Sequence, residues 1–439
     1  MKHIMDRTVL HCSLPILVLV GGAIGTDAFA QSQAPLSSQG PVLSEVTAAP
    51  APQGSLVSEA STVSFAPKGM PVGVFRLFPT LDAVADYDDN VFLSSANRQS
   101  DYFFRETPEL MFRPDWSRHA LDVYATGSLY QYEAFPLQDH IDWTGGADGR
   151  LDIYREISFA ASGAYSVEHL ANSSPAQPSS AKSPTGFSLV HSNADFSYSP
   201  YHFSLYLGGT YDRFVYEASK LVDGTVTSNA DRNEDLYSAY VKAAYEFTPG
   251  YAMFLQGTDN QADYDIPLDR SGLRRNNNGY VGSAGLDFLL TNLLKGQAFA
   301  GFLDQRFKAP LKDVTGITYG AAIDWYPTPL WVFHLTASRA LNGTVLRGAS
   351  AEDDRSVQVS TEYRFRSDIM INGAVTYLDA SQDGANRDDH FVTTRLLLGY
   401  ILNNWMMAEV SDTFQFRTSN VLGQNFNDNV AMIGLKFQE

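Results

Sequence analysis

From Phe75 to Glu439 the chain alternates apolar and polar residues in runs of about a dozen, each closed by a turn. A period of two sends successive side chains to opposite faces of a strand, so each run predicts a strand with one apolar and one polar face. Leu77, Leu81, Ala83, Ala85 and Tyr87 share one parity; Arg76, Thr80, Asp82 and Asp86 share the other. The next run sets Tyr102, Phe104, Pro108, Leu110 and Phe112 against Arg105, Thr107, Glu109 and Arg113. Later runs repeat the contrast. Trp143, Ala147, Leu151 and Ile153 oppose Asp148, Arg150 and Asp152, and Val357, Val359, Tyr363 and Phe365 oppose Gln358, Glu362 and Arg364. Residues 404–417 carry Met406, Met407 and Glu409, whose facing the pattern leaves open.

The turns alternate in length. Short ones fall near Pro114-Asp115-Trp116, Tyr154-Arg155-Glu156, Thr248-Pro249-Gly250, Pro327-Thr328-Pro329 and Asn403-Asn404. Longer polar loops lie between, notably 171–186, 217–234 and 266–278. Antiparallel strands with one short-turn end and one long-loop end are the pattern of a transmembrane barrel, with tight periplasmic turns and longer outward loops. The fold predicted is all-β: an up-and-down antiparallel barrel of about 18 strands. An even count puts both chain ends on the short-turn side. Trp116, Tyr154, Tyr198, Tyr201, Phe247, Tyr251, Tyr326, Trp331 and Trp405 flank the short turns and read as the periplasmic girdle. The last strand sets Ala431, Ile433, Leu435 and Phe437 against Lys436 and Gln438.

Composition sharpens this reading. Mean hydropathy is −0.18 with 44% hydrophobic residues and 13% aromatics. A helical membrane bundle needs apolar runs of about 20 residues, which the barrel region lacks. A propeller would repeat in blades of some 40–50 residues, and no blade motif recurs. Net charge is −18, which excludes nucleic acid as a partner because phosphate binding needs a basic surface.

Residues 1–30 read as a signal peptide: Lys2, His3 and Arg7, then the apolar core Ser13–Gly25, then the small-x-small site Ala28-Phe29-Ala30. An uncleaved anchor is the alternative, but the core is short for a span. Cys12 is the only cysteine, so the mature chain offers no disulfide, thiolate ligand or cysteine nucleophile. Residues 31–74, rich in Pro, Ala and Ser, read as a disordered periplasmic leader, with a tether or pore plug as the sharper alternative. The barrel is assigned residues 75–439.

The polar face carries the functional content. The residues expected to line the pore are Arg76, Asp82, Asp86, Arg105, Glu109, Arg113, Asp122, Tyr124, Asp148, Arg150, Asp152, Tyr206, Asp212, Lys242, Glu246, Asp324, Glu362, Arg364 and Arg395. They read equally as a cross-strand network that stiffens the wall and as a polar path for hydrated solute. A barrel of this size encloses a water channel unless something fills it. No catalytic residues, cofactor or resident metal are expected. The histidines His119, His140, His169, His191, His202, His334 and His390 match no metal-ligand spacing. Gly279-Tyr-Val-Gly282 resembles a phosphate loop but sits in a strand with no helix after it. The pairs Asp88-Asp89, Asp353-Asp354 and Asp388-Asp389 lie near outer strand ends and read as solvated carboxylates or as divalent-cation contacts.

Leu77-Phe-Pro-Thr-Leu81, Tyr87-Asp-Asp-Asn-Val-Phe92 and Ser100-Asp-Tyr102 followed by Thr107-Pro108 resemble the opening of the putative β-barrel porin 2 family. Ala284-Gly-Leu-Asp-Phe288, Gly301-Phe-Leu-Asp-Gln305 and Trp325-Tyr-Pro-Thr-Pro329 are similar to its second half. The resemblance implies a Gram-negative outer-membrane barrel associated with exopolysaccharide export. Expected partners are outer-membrane lipid, lipopolysaccharide and the barrel-assembly machinery, and, by resemblance, polysaccharide and periplasmic export components. The function expected is an outer-membrane channel for hydrophilic solute, a component of exopolysaccharide export. The alternatives are a general diffusion porin and a barrel-scaffolded enzyme.

Overall fold

The structure is a computed structural model that describes residues 67–178, 180–291 and 293–439. The signal segment and residues 31–66 of the leader lie outside the described residues. The chain runs through β1 (Phe75–Asp88), β2 (Asp101–Pro114), β3 (Ala120–Tyr132), β4 (His140–Tyr154), β5 (Ile157–His169) and β6 (Gly186–Tyr198). It continues through β7 (Phe203–Tyr216), β8 (Glu234–Thr248), β9 (Tyr251–Tyr264), β10 (Asn277–Thr291), β11 (Leu294–Phe307) and β12 (Val314–Thr328). The last third is β13 (Trp331–Asn342), β14 (Ala351–Arg366), β15 (Ile369–Asp383), β16 (Asp388–Asn403), β17 (Met406–Ser419) and β18 (Phe426–Gln438).

Each strand pairs antiparallel with the next, and β18 returns to β1 in the register Thr80↔Gln438 to Asp88↔Val430. The result is a closed barrel of 18 strands. A short strand, Met70–Val72, folds back on β1, and the Gly69 N–H donates to the Glu439 carbonyl at 3.2 Å. The two ends of the barrel therefore meet on the short-turn side. Among the described residues no helix is long and apolar enough to cross a membrane.

Turn chemistry explains the short end. Between β8 and β9, Pro249 holds φ near the value a turn needs and Gly250 takes φ +83°, open to a residue without Cβ. A register shift lies beside this turn, between Glu246 and Thr248, and similar shifts flank the turns after β4, β10, β12, β14 and β16. A bulge there adds local twist, which lets a two-residue turn join strands in a strongly tilted sheet.

The two faces separate as the alternation requires. On β14, Val357 and Val359 are exposed outward, and in β16 Leu396 and Leu398 likewise. Met407 and Glu409 share the register of inward Arg395 and Thr413, which settles the facing that the pattern left open. Aromatic residues form two girdles. Near the short turns, Trp325 stacks on Phe333 at 5.3 Å, Trp331 meets Tyr363 at 5.2 Å and Trp405 stacks on Phe437 at 6.2 Å. The member on β12 is Trp325, not Tyr326: Tyr326 lies under inward Lys295 at 5.4 Å. A second girdle toward the long loops pairs Tyr87 with Tyr102 at 4.8 Å, Trp143 with Tyr165 at 5.4 Å and Tyr211 with Tyr237 at 5.3 Å. Beyond it the outer wall turns charged. Arg213 bridges Asp235 and Asp265 at 2.9 and 2.6 Å, and Arg306 meets Asp304 at 3.1 Å.

The inner face is not polar throughout. Phe187, Phe214, Tyr216, Leu236 and Ala262 point inward at the outer ends of β6–β9 and close over Leu170, which is 1% exposed. Leu378, Ala380, Phe391 and Phe426 do the same for Leu93 across the barrel. Both loop residues come from long loops, so these apolar patches are the seats of loops folded into the mouth.

The facing of neighbouring residues is directly testable. Val359→Arg puts a charge against lipid and is expected to cost about 2–4 kcal/mol near mid-bilayer, whereas Gln358→Arg, one residue away on the inner face, is expected to cost little. Conversely, Glu106 is an exposed carboxylate on the lipid side of β2, opposite Ala83 and Leu129, and Glu106→Leu should stabilise. Urea unfolding in phosphatidylcholine vesicles measures all three; equal effects at 358 and 359 would reverse the assignment.

Candidate functional site: the lumen and the loop across its mouth

All nineteen residues expected to line the pore fall on the face opposite the exposed apolar side chains. The structure divides them by accessibility. Asp82, Asp86, Arg105, Arg150 and Lys242 are buried by their neighbours, Lys242 to 1% exposure. Neighbouring side chains cover these five. Lys242 ion-pairs with Asp287 at 3.3 Å and lies 3.8 Å over the Phe254 ring. Asp86 pairs with Arg105 at 3.4 Å, and Lys436 reaches Asp82 at 3.5 Å across the β1–β18 seam. A buried charge persists only if it is paired, so these contacts serve the wall.

Others are more accessible to water. Glu362 is exposed, and Gln358 and Thr336 beside it are exposed on the same inner wall. Arg364 lies on the same inner parity toward the short-turn end. Glu246 neighbours His202 at 3.6 Å near the short turns, and Arg76 there pairs with Asp115 at 3.5 Å. Asp324 accepts from His334 at 2.6 Å and lies 3.6 Å from Lys295.

A run of carboxylates occupies the wall from β3 to β7. Asp122 and Asp148 are directly opposite each other in the β3–β4 register. Arg113 holds Asp122 with two hydrogen bonds of 2.7 Å, which leaves Asp148 without such a guanidinium partner. Tyr124 is on the same face, and Gly146 makes room for its ring, since a Cβ there would lie 2.6 Å from the hydroxyl. Asp195 accepts from the Tyr240 hydroxyl at 2.6 Å, and Asp212 contacts His191 at 2.5 Å. Arg150 is turned to Asp152 at 3.2 Å. Tyr206 follows Asp212 toward the short-turn end of β7. Glu109, Thr80 and Arg395 complete the inner set on the β16–β2 side, where Thr80 donates to Glu109 at 3.3 Å. Over the whole inner face carboxylates outnumber Lys and Arg.

The loop joining β5 to β6 lies across the outer mouth. Its base is closed by the Leu170 N–H donating to the Thr185 carbonyl at 2.9 Å. The Lys182 N–H donates to the Lys220 carbonyl at 2.8 Å, and Thr185 and Ser219 join through their hydroxyls at 2.8 Å. Farther along, Asn172 Nδ2 donates to the Val91 carbonyl at 2.9 Å and to Gln138 at 3.2 Å. Arg417 of β17 donates to the Ser173 carbonyl at 3.0 Å, and Arg232 to the Ala176 carbonyl at 3.2 Å. A cavity of about 60 Å³ separates Ser174, Pro175 and Ala176 from Gly343 and Thr344 of the β13–β14 loop. The anchors thus come from both sides of the mouth.

The sequence pattern missed these anchors, because their partners are 34 to 244 residues distant. One signal was present: apolar residues such as Phe187, Phe214 and Leu236 on the otherwise polar parity. Neighbouring loops are locked to each other by Arg270, whose guanidinium donates to Asp231 at 2.9 Å through Nε and through Nη2. Partial burial raises the Asp231 carboxyl, but these hydrogen bonds outweigh it and hold the group below the ordinary aspartate value. Burial lowers the Arg232 guanidinium.

A closed antiparallel barrel with an apolar band, two aromatic girdles, a charged interior and an infolded loop is a porin-like outer-membrane β-barrel. The chain belongs to the family described as putative beta-barrel porin 2, whose model matches residues 63–439. No curated protein matches it in sequence. Among solved structures it is similar to OccK2 (OpdF) of Pseudomonas aeruginosa, at 10% identity over 83% of this chain and 98% of that one, with a TM-score of 0.43. OccAB4 of Acinetobacter baumannii is similar at 11% identity over 85% and 99%, TM-score 0.42. A BenF-like porin of Pseudomonas fluorescens Pf-5 is similar at 10% identity over 83% and 99%, TM-score 0.43.

Because the Asp231 carboxyl is depressed, its tie to Arg270 is present above the ordinary carboxylate value and lost only as pH falls through the depressed one. Open-channel current noise in planar bilayers should therefore be flat from neutral pH down through the usual aspartate range and rise below it. Asp231→Asn should show the raised noise at neutral pH.

Proposed function

We propose that this protein is a passive channel for small hydrophilic solutes across the outer membrane, with a preference for cations, and not an enzyme. The observation that carries the reading is the pair formed by a charged inner wall and a pinned loop across its mouth. Ordered wall charges set selectivity, and the constriction limits solute size. The excess of carboxylates, above all Asp122 and Asp148 facing each other on adjacent strands, favours cations over anions in the aqueous path.

Polysaccharide export, expected from the family resemblance, is not supported. A growing polymer occupies the mouth continuously, and the β5–β6 loop lies there under anchors from β17 and three other loops. The general diffusion porin fits better. The His–Asp pairs on the inner wall, His191–Asp212 and His334–Asp324, bridge adjacent strands and serve as wall ties.

Planar-bilayer recording tests the proposal. Purified mature protein should give ohmic steps whose reversal potential in a KCl gradient has the sign of cation preference. Asp148→Asn combined with Asp122→Asn should move that potential toward zero. Removing residues 173–182 should raise single-channel conductance by roughly twofold. Absence of any conductance from correctly folded protein would end the channel reading. Strong block by long sugar oligomers, with no passage of small solutes in liposome swelling, would return the polymer reading.

A further inference from the structure

We infer that the outer end of the β1–β18 closure seam is a divalent-cation site, of the Ca²⁺ type, built from Asp88, Asp89 and Asp428. Asp88 ends β1, Asp89 follows it, and Asp428 comes from β18. One carboxylate oxygen from each lies within 4.8 Å of the other two. Oxygens on opposite sides of a Ca²⁺ ion are about 4.6–5.2 Å apart, twice the usual ligand distance, so this triad can close on such an ion with little movement.

Proximity of acids alone would mean little, but the site carries an independent mark. Asp428 is 3% exposed, and its Oδ1 is buried with no N–H donor among the described residues. A carboxylate oxygen withdrawn from water without a donor is costly, and a cation is the species that removes that cost. Nearby donors serve oxygens other than Asp428 Oδ1. Asp88 Oδ1 accepts from the Asn90 N–H at 2.7 Å, and Asp89 Oδ1 accepts from the Asn429 N–H at 2.9 Å. Arg98 is ion-paired with Asp89. Asp101, the cross-strand neighbour of Asp88, spends its oxygens on the N–H groups of Tyr102, Ala134 and Phe135.

The charge count points the same way. The three carboxylates of the triad, with Asp101 beside them and Arg98 as the paired guanidinium, leave a net negative charge that a divalent cation offsets. The enclosure is built: Asn90, fully buried, donates to the Ser94 and Asn427 carbonyls at 3.1 and 2.8 Å, folding the β1–β2 loop over the triad. A hard cation with oxygen ligands suits a site on the outward side, where Ca²⁺ is plentiful. Bound there, the ion would clamp the first strand of the barrel to the last.

The test uses the full mature chain, folded in detergent and stripped with EGTA at neutral pH. Equilibrium dialysis with Ca²⁺ alone should find one site that Asp428→Asn weakens by roughly tenfold or more. Ca²⁺ should raise the thermal midpoint of the wild type relative to EGTA, and the variant should lose that response. If Asp428→Asn does not fold, Asp89→Asn, at a half-buried position just past β1, makes the same comparison. Equal Ca²⁺ binding by wild type and variant, or a wild-type midpoint indifferent to Ca²⁺, would overturn the assignment and mean that Asp428 is kept neutral by a proton shared with Asp88. Channel conductance is not part of the readout, so the site and the transport reading stand or fall separately.

Discussion

The structure rests on the pairing of the last strand with the first. In hydrocarbon there is no water to satisfy a free N–H or carbonyl, so a sheet can stay there only if it has no edge. The register from Thr80↔Gln438 to Asp88↔Val430 removes the edge, and it also fixes strand number and tilt for everything between. The seam is correspondingly well furnished. Lys436 reaches Asp82, and Val84, Leu397 and Met432 pack together beside them. Gly434 is needed at this place, because a Cβ there would come within 2.3 Å of Val84.

Once the barrel is closed, the interior and the exterior obey different rules. Outside, lipid rewards apolar area and punishes charge, and the wall answers with Val, Leu and Phe between two aromatic belts. Inside, charge is tolerated because neighbours across the strands neutralise it, as Lys242 does with Asp287. The interior also changes along its axis. Toward the short turns and at mid-height it is polar and in part accessible. Toward the long loops apolar patches appear among its charges, because loops fold in and need seats. The constriction therefore follows from packing at the outer strand ends as much as from loop length.

The function we propose draws on that arrangement. A wide polar tube would discriminate little. In the channel we propose, the β5–β6 loop narrows the mouth and the carboxylates of β3–β7 bias what passes beneath it. The loop is held by backbone carbonyls that accept from Arg417 and Arg232, so its position depends on side chains of strands and loops on both sides of the mouth.

Much of this was legible in the residues. Alternation fixed which side of each strand meets lipid, since a one-residue error would bury every charge in hydrocarbon. Turn length distinguished the two ends, and the strand count followed from both. The nineteen residues expected to line the pore were chosen by parity alone. Parity says which face a side chain takes; it says nothing of what covers it, so the burial of Asp82, Asp86, Arg105, Arg150 and Lys242 was invisible. So were the outer girdle's role, the loop anchors at Ser173 and Ala176, and the meeting of Asp88 with Asp428. Those contacts join residues tens to hundreds of positions apart, and only closure of the sheet, which sets strand 18 beside strand 1, brings them within reach.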